Sequence, residues 1–244
     1  MKAKATILSI IFLLHVIPAF ANNKLSTEVA GYFFKPIKME KISGTFNGFY
    51  KVLPGDDIAY EEVAFFDNKE YPMRYYSNSL CMKNKKCNGS IISIFDQKFY
   101  LGTINNTEDA YIDIHLDSTW WLLNLGGQSY ICSLAAQRGA SAYSFIFLIF
   151  DITNKHKIKF SCLDTFAFDD VPLIGSLPDN DGQLYFLRTV VKECFVTTPY
   201  AITNHGLVEY KKTNGVPYSL KFEWNKWKSD EIKIIKLPRG EETK

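Results

Sequence analysis

The sequence predicts an all-β protein, either a multi-strand β-sandwich or a propeller-like array, and three observations predict it. Beyond the N-terminus, short runs rich in β-branched and aromatic residues recur along the chain, separated by Gly, Pro, Asn and Asp turn signals. After residue 21 no helix longer than two turns is predicted, so few or no helices are expected there. The longest apolar run outside the N-terminus, Ser144 to Ile152, alternates Phe145, Phe147 and Ile149 with Ile146, Leu148 and Phe150. Both faces of that strand are apolar, which places it centrally in its sheet, covered on two sides.

The first 21 residues read as a secretory signal peptide. Lys2 and Lys4 precede an apolar core from Ala5 to Ile17, then Pro18 and the small-x-small ending Ala19-Phe20-Ala21. The core is too short for the roughly 20 residues a bilayer demands. Cleavage after Ala21 is expected, giving an exported soluble protein of the periplasm or extracellular space. No later stretch is long and apolar enough to span a membrane. The 28 basic residues fall to 26 once Lys2 and Lys4 leave, equal to the 26 acidic ones. A neutral chain lacks the basic excess that phosphate contacts require, so nucleic acid is not an expected partner.

Residues 22–237 are read as one all-β domain, with a soft seam near 78–90 and a solvated tail over 238–244. Strand signals run from Val29 to Phe34 and from Thr45 to Leu53, before the Pro54-Gly55-Asp56-Asp57 turn. Ile58 to Phe66 and Tyr71 to Tyr76 flank the Asp67-Asn68-Lys69 connection. Ser90 to Phe95 and Lys98 to Ile104 flank a two-residue hairpin gap, Asp96-Gln97. Ala110 to Leu116 alternates, and Trp120 to Leu125 ends at Gly126-Gly127. Ser129 to Leu134 follows, and Ala135 to Ser141 is the best candidate for a short helical turn or a small-residue loop. The organising block, Ala142 to Val191, holds the Ser144 run, a Thr153-Asn154-Lys155 hinge, a second run from His156 to Leu163 and a third from Gln183. Its order is blade-like, although no other segment aligns to it as a repeat. Further strands are expected at Cys194 to Thr198, Gly206 to Lys212, Val216 to Trp224 and Ile232 to Leu237.

In an oxidising compartment cysteines are bridge candidates first. Cys81 and Cys87 enclose a lysine-rich loop and are read as a disulfide contributing about 2 kcal/mol in the chain-entropy model. Cys132, Cys162 and Cys194 cannot all pair among themselves, so at least one thiol is left over. No Cys-x-x-Cys or clustered His suggests zinc.

Trp120, Trp121, Trp224 and Trp227 are the candidate binding aromatics. Adjacent tryptophans on a strand point to opposite faces, so one of the first two is core and the other partly exposed.

Asp179-Asn180-Asp181-Gly182, followed by the alternating run to Leu187, resembles the calcium loop of FG-GAP or VCBS type β-propeller repeats and, more distantly, an EF-hand loop. The resemblance covers about a dozen residues. It implies a propeller-like fold, with Asp179 and Asp181 as ligands of calcium, the one cofactor considered. Two positions depart from the EF-hand pattern: Leu177 stands where the first ligand would be and Arg188 at the twelfth position. A hairpin turn whose Asp and Asn side chains satisfy local backbone groups is the competing reading.

No catalytic constellation emerges. Gly139-Ala140-Ser141-Ala142-Tyr143 lacks the final glycine of a nucleophile elbow, and His115, His156 and His205 are dispersed. The expected function is therefore an exported binding protein that recognises another protein. An inhibitor or immunity-type partner of a toxin is one concrete form. The alternative is a carbohydrate-binding or carbohydrate-active β protein using exposed tryptophans.

Overall fold

The computed structural model describes residues 19–34, 36–50, 62–80, 88–101, 112–113, 119–137, 144–178, 182–212, 215, 218–224 and 231–238. These residues form three antiparallel sheets and one helix, and no sheet closes into a barrel. The central sheet runs in the order β1 (Glu40–Ile42), β8 (Trp120–Leu125), β9 (Gln128–Gln137), β10 (Ser144–Asp151), β11 (Lys159–Phe166), with β7 (Ile112–Asp113) also paired to β9. The N-terminal sheet is a meander of β2 (Phe46–Tyr50), β3 (Glu62–Phe66), β4 (Met73–Leu80), β5 (Asn88–Ile94) and β6 (Gln97–Tyr100). The C-terminal sheet orders β12 (Ile174–Gly175), β13 (Tyr185–Val191), β14 (Phe195–Thr203), β16 (Leu220–Trp224) and β17 (Ile232–Lys236), with β15 (Gly206–Glu209) on β14.

The period-2 alternation of β10 explains the layering. Ile146, Leu148 and Phe150 join Trp120, Ile131 and Ala135 in a core against Phe46, Met73, Tyr75 and Ile92 of the N-terminal sheet. Phe147 and Ile149 join Leu123, Tyr130 and Leu134 in a second core against Ile174, Leu184 and Phe186 of the C-terminal sheet. Residues 146–150 are at most 3 % exposed, so each side chain gains the roughly 1.5–3 kcal/mol of full burial on one side or the other. The Phe147 and Phe186 rings stack at 3.8 Å and pin the second interface. The predicted two-faced strand is therefore observed, and it lies inside a sandwich-like stack of sheets.

Four expectations need correction. Val29 to Phe34 is not a strand: α1 (Ala19–Gly31) occupies this region and places Leu25, Val29 and Ala30, with the following Phe33, in a third core against Tyr185, Leu187 and Phe222. The 25/29/30/33 spacing is helical, but the aromatic run Tyr32-Phe33-Phe34 masked it. Ala135, Ala136 and Gln137 belong to strand β9 and to neither a helical turn nor a loop; Ala135 is fully buried in the core shared with the N-terminal sheet. The two-residue β5–β6 hairpin falls one residue earlier, at Phe95-Asp96, where φ is 47° and 61° as a type I′ turn requires. Finally, Ala142 to Val191 is not one blade, because β10 and β11 pair in the central sheet while β13 belongs to the C-terminal one. The seam read near 78–90 connects β4 to β5 within one sheet, with Leu80 opposite Asn88.

Candidate functional site

The candidate site grows from the turn between β10 and β11. Residues 153–157 are exposed and carry Lys155, His156 and Lys157, with Lys159 exposed just beyond. An exposed turn with that composition ordinarily frays, yet this one is tied at successive backbone groups. The Ile152 amide donates to Ser129 O (2.9 Å), the Thr153 amide to Asp151 Oδ1 (3.1 Å) and the His156 amide to Asn154 Oδ1 (3.0 Å). The Lys157 amide donates to Asn154 O at 2.9 Å. Thr153 Oγ1 in turn accepts the Ser129 amide at 3.0 Å, joining the loop to β9.

The decisive restraint comes from another sheet. Gln97, the first residue of β6, donates from Nε2 to Lys155 O at 2.7 Å and accepts the Ile158 amide on Oε1 at 3.0 Å. One primary amide thus satisfies a donor and an acceptor of the loop backbone. Phe95, at the neighbouring turn, lies beneath Lys155 Nζ at 4.8 Å and packs edge-on against Tyr71. A positive φ at a bulky non-glycine residue is strained. The strain sits at the turn that delivers Phe95 and Gln97 to the loop.

Beside the loop lies an open basin of about 310 Å³, lined by Gln128, Asp151, Thr153, Asn154, Lys157 and Lys159, with Asn204 from the β14–β15 turn. Tyr130 donates its hydroxyl to Gln128 Oε1 at 3.0 Å. Burial and then the Asp151 charge push the Tyr130 phenol up, so it stays protonated and keeps donating.

A second cleft, of about 370 Å³, opens where the central and C-terminal sheets meet, between Phe145, Phe166, Phe195 and Val191. Its carboxylate, Asp164, is bound by Arg188: Nη2 lies 2.7 Å from both carboxylate oxygens and Nε donates to the Asp164 carbonyl. Tyr200 hydroxyl accepts from Arg188 Nη1 at 3.2 Å. This group is a clamp between sheets, because Arg188 on β13 spends Nε, Nη1 and Nη2 on Asp164 of β11 and Tyr200 of β14. Thr165 Oγ1 continues the clamp by accepting the Thr189 amide at 3.1 Å.

The residues singled out in the sequence are scattered. Trp120 is 1 % exposed and packs against Phe46 and Phe150, so it offers no ring face to a sugar. Trp121, as the alternation requires, points the other way and is half-buried. Trp224 sits in an aromatic cluster with Phe166, Phe168 and Phe195. Trp227, Cys81, Cys87, Asp179 and Asp181 lie outside the described residues, as does His115. Cys132, Cys162 and Cys194 are all unbridged. Burial pushes the Cys132 thiol up to about 12, and desolvation by its neighbours together with the Asp164 charge raises the exposed Cys162. Neither is an activated nucleophile, which needs a lowered pKa. Among the described residues no group of His, Cys, Asp and Glu is arranged to hold a metal ion, and no helix is long and apolar enough to cross a membrane.

Sequence reasoning missed the Gln97 clamp and the basin. Residues 97 and 155 are 58 positions apart, and one glutamine in a polar turn has no distinguishing pattern. The Thr153-Asn154-Lys155 hinge was legible as a turn, but its fixed geometry was not. Comparison with protein-family models, with curated proteins and with solved structures found no match.

Proposed function

We propose that the chain is an exported protein-binding module that presents the β10–β11 loop to a partner protein in the periplasm or extracellular space. An inhibitor or immunity-type partner of a toxin is one concrete form. The observation that carries this reading is the coincidence of exposure and restraint at residues 153–157. A contact loop held in one conformation before binding loses less entropy on association, and that saving appears directly as affinity. Its cations add electrostatic steering toward a complementary surface. The carbohydrate alternative loses support from the position of Trp120 in the core and of Trp224 inside an aromatic cluster.

The test is capture of partners from the exporting organism's envelope fraction by the wild-type chain and by a Lys155→Ala/His156→Ala variant. A partner recovered by wild type and depleted with the variant is the expected result. Recovery of no stable protein partner, or equal recovery by both chains, would count against the reading.

A further inference from the structure

Resting on that protein-binding reading, we infer that the basin beside the loop receives a carboxylate from an acidic segment of the partner protein. The inference follows from which hydrogen-bonding atoms of the basin are already used. Asp151 Oδ1 accepts the Thr153 amide, Thr153 Oγ1 accepts the Ser129 amide, and Asn154 Oδ1 accepts the His156 amide. Gln128 Oε1 accepts the Tyr130 hydroxyl. Each of these four acceptor atoms already takes one internal donor, while the second Asp151 oxygen and the Asn204 amide oxygen remain as acceptors on lining residues. The lining residues also carry the NH2 of Gln128, the NH2 of Asn154 and the ammonium groups of Lys157 and Lys159. All four are donors only.

A lining in which two ammonium groups and the amide NH2 donors outnumber the acceptors favours a ligand that is all acceptor, and an ionised carboxylate meets that description. Asp151 also lines the basin, and its charge opposes any anion. Two lysines outweigh one aspartate, and Lys155 stands on the same turn. The planar amides add geometry that lysines alone would not supply. Because Asn154 Oδ1 and Gln128 Oε1 are fixed by their own partners, the NH2 groups are oriented before a ligand arrives. An acidic peptide fits better than an acidic polysaccharide, because the described tryptophans Trp120, Trp121 and Trp224 lie elsewhere and a sugar ring would find no indole platform among the lining residues.

The probe is a short oligoglutamate peptide titrated into the isotope-labelled protein, with the side-chain NH2 signals of Gln128 and Asn154 observed by NMR. Those two signals are expected to shift saturably, the affinity to fall with salt, and Lys157→Gln/Lys159→Gln to weaken binding by about tenfold or more. Unmoved NH2 signals, or an equal response from the double variant with its fold intact by circular dichroism, overturn the inference. A response to oligogalacturonate without one to the peptide overturns it in favour of an acidic glycan. In the envelope capture, a partner recovered equally by wild type and by the Lys157→Gln/Lys159→Gln variant also overturns this inference and leaves the protein-binding reading standing. Capture of nothing by wild type sinks both.

Discussion

The two faces of the central sheet are joined to their neighbours by different chemistry. Toward the N-terminal sheet the contact is aromatic and aliphatic, built on Trp120, Phe46 and Phe150, and its polar link at the loop is the neutral Gln97 amide. Toward the C-terminal sheet the Phe147–Phe186 stack is accompanied by an ion pair, Arg188–Asp164, and by the Thr165–Thr189 hydrogen bond. The Arg188 and Asp164 side chains are 24 % and 44 % exposed, so water and salt reach that clamp. The comparison teaches that stability and placement are separable here. The apolar contact carries the energy, the neutral amide fixes an exposed loop, and the ion pair aligns a partly wet seam.

Three substitutions test that division, in falling order of effect. Trp120→Ala removes the largest fully buried side chain among the described residues and should cost about 3–5 kcal/mol, read as a lower urea midpoint. A loss below about 1 kcal/mol would show that the first interface does not dominate. Gln97→Ala should cost about 1–2 kcal/mol, because the half-buried Ile158 amide loses its acceptor. Arg188→Met should cost about 1 kcal/mol or less at moderate salt, since the partly exposed Asp164 is left to water. Urea titrations at low and high salt check it: the wild-type advantage should shrink with salt, and an unchanged difference would argue against a screened clamp.

A fourth prediction concerns the C-terminal sheet's other face, where α1 docks. Asp169 borders a cavity of about 10 Å³, room for one water, and its Oδ2 is buried without a protein partner among the described residues. Burial raises its carboxyl pKa most, the Asp170 charge raises it further, and hydrogen bonds from Ser26 and the Val171 amide oppose the shift. A raised folded-state pKa means that the folded protein holds this proton more tightly than the unfolded chain. Its contribution is complete below the ordinary Asp range and is lost as pH rises through the folded value. Asp169→Asn should therefore raise the melting midpoint at neutral pH and flatten the acid-side change, as thermal unfolding across mildly acidic to neutral pH would show. A lower neutral-pH midpoint would mean that the Ser26 and Val171 hydrogen bonds outweigh the burial penalty.

Legibility tracked locality. β10 could be read because its apolar alternation is contained in eight consecutive residues, and both of its buried faces followed from that pattern alone. The stop at Gly126-Gly127 after Leu125 was equally visible, and both residues take the positive φ that glycine allows in the β8–β9 turn. Helix α1 was missed because a modest apolar face, Leu25, Val29 and Ala30, runs straight into Tyr32-Phe33-Phe34, whose composition favours strand. The division of the Ala142 to Val191 block between two sheets was also invisible, because strand period does not encode which sheet a strand joins. The site was least legible of all. Its definition depends on the side-chain oxygens of Gln128 and Asn154 accepting the Tyr130 hydroxyl and the His156 amide, contacts that no residue pattern in the sequence marks.

The claim on which the rest depends is that the exposed β10–β11 loop is held in place by Gln97. Native-state hydrogen exchange at the Lys157 and Ile158 amides tests it most directly. Both amides should be protected in wild type, and Ile158 should exchange at least about tenfold faster in Gln97→Ala while the β10 amides keep their protection. Exchange at free-peptide rates for Lys157 and Ile158 in the wild-type protein would contradict the account.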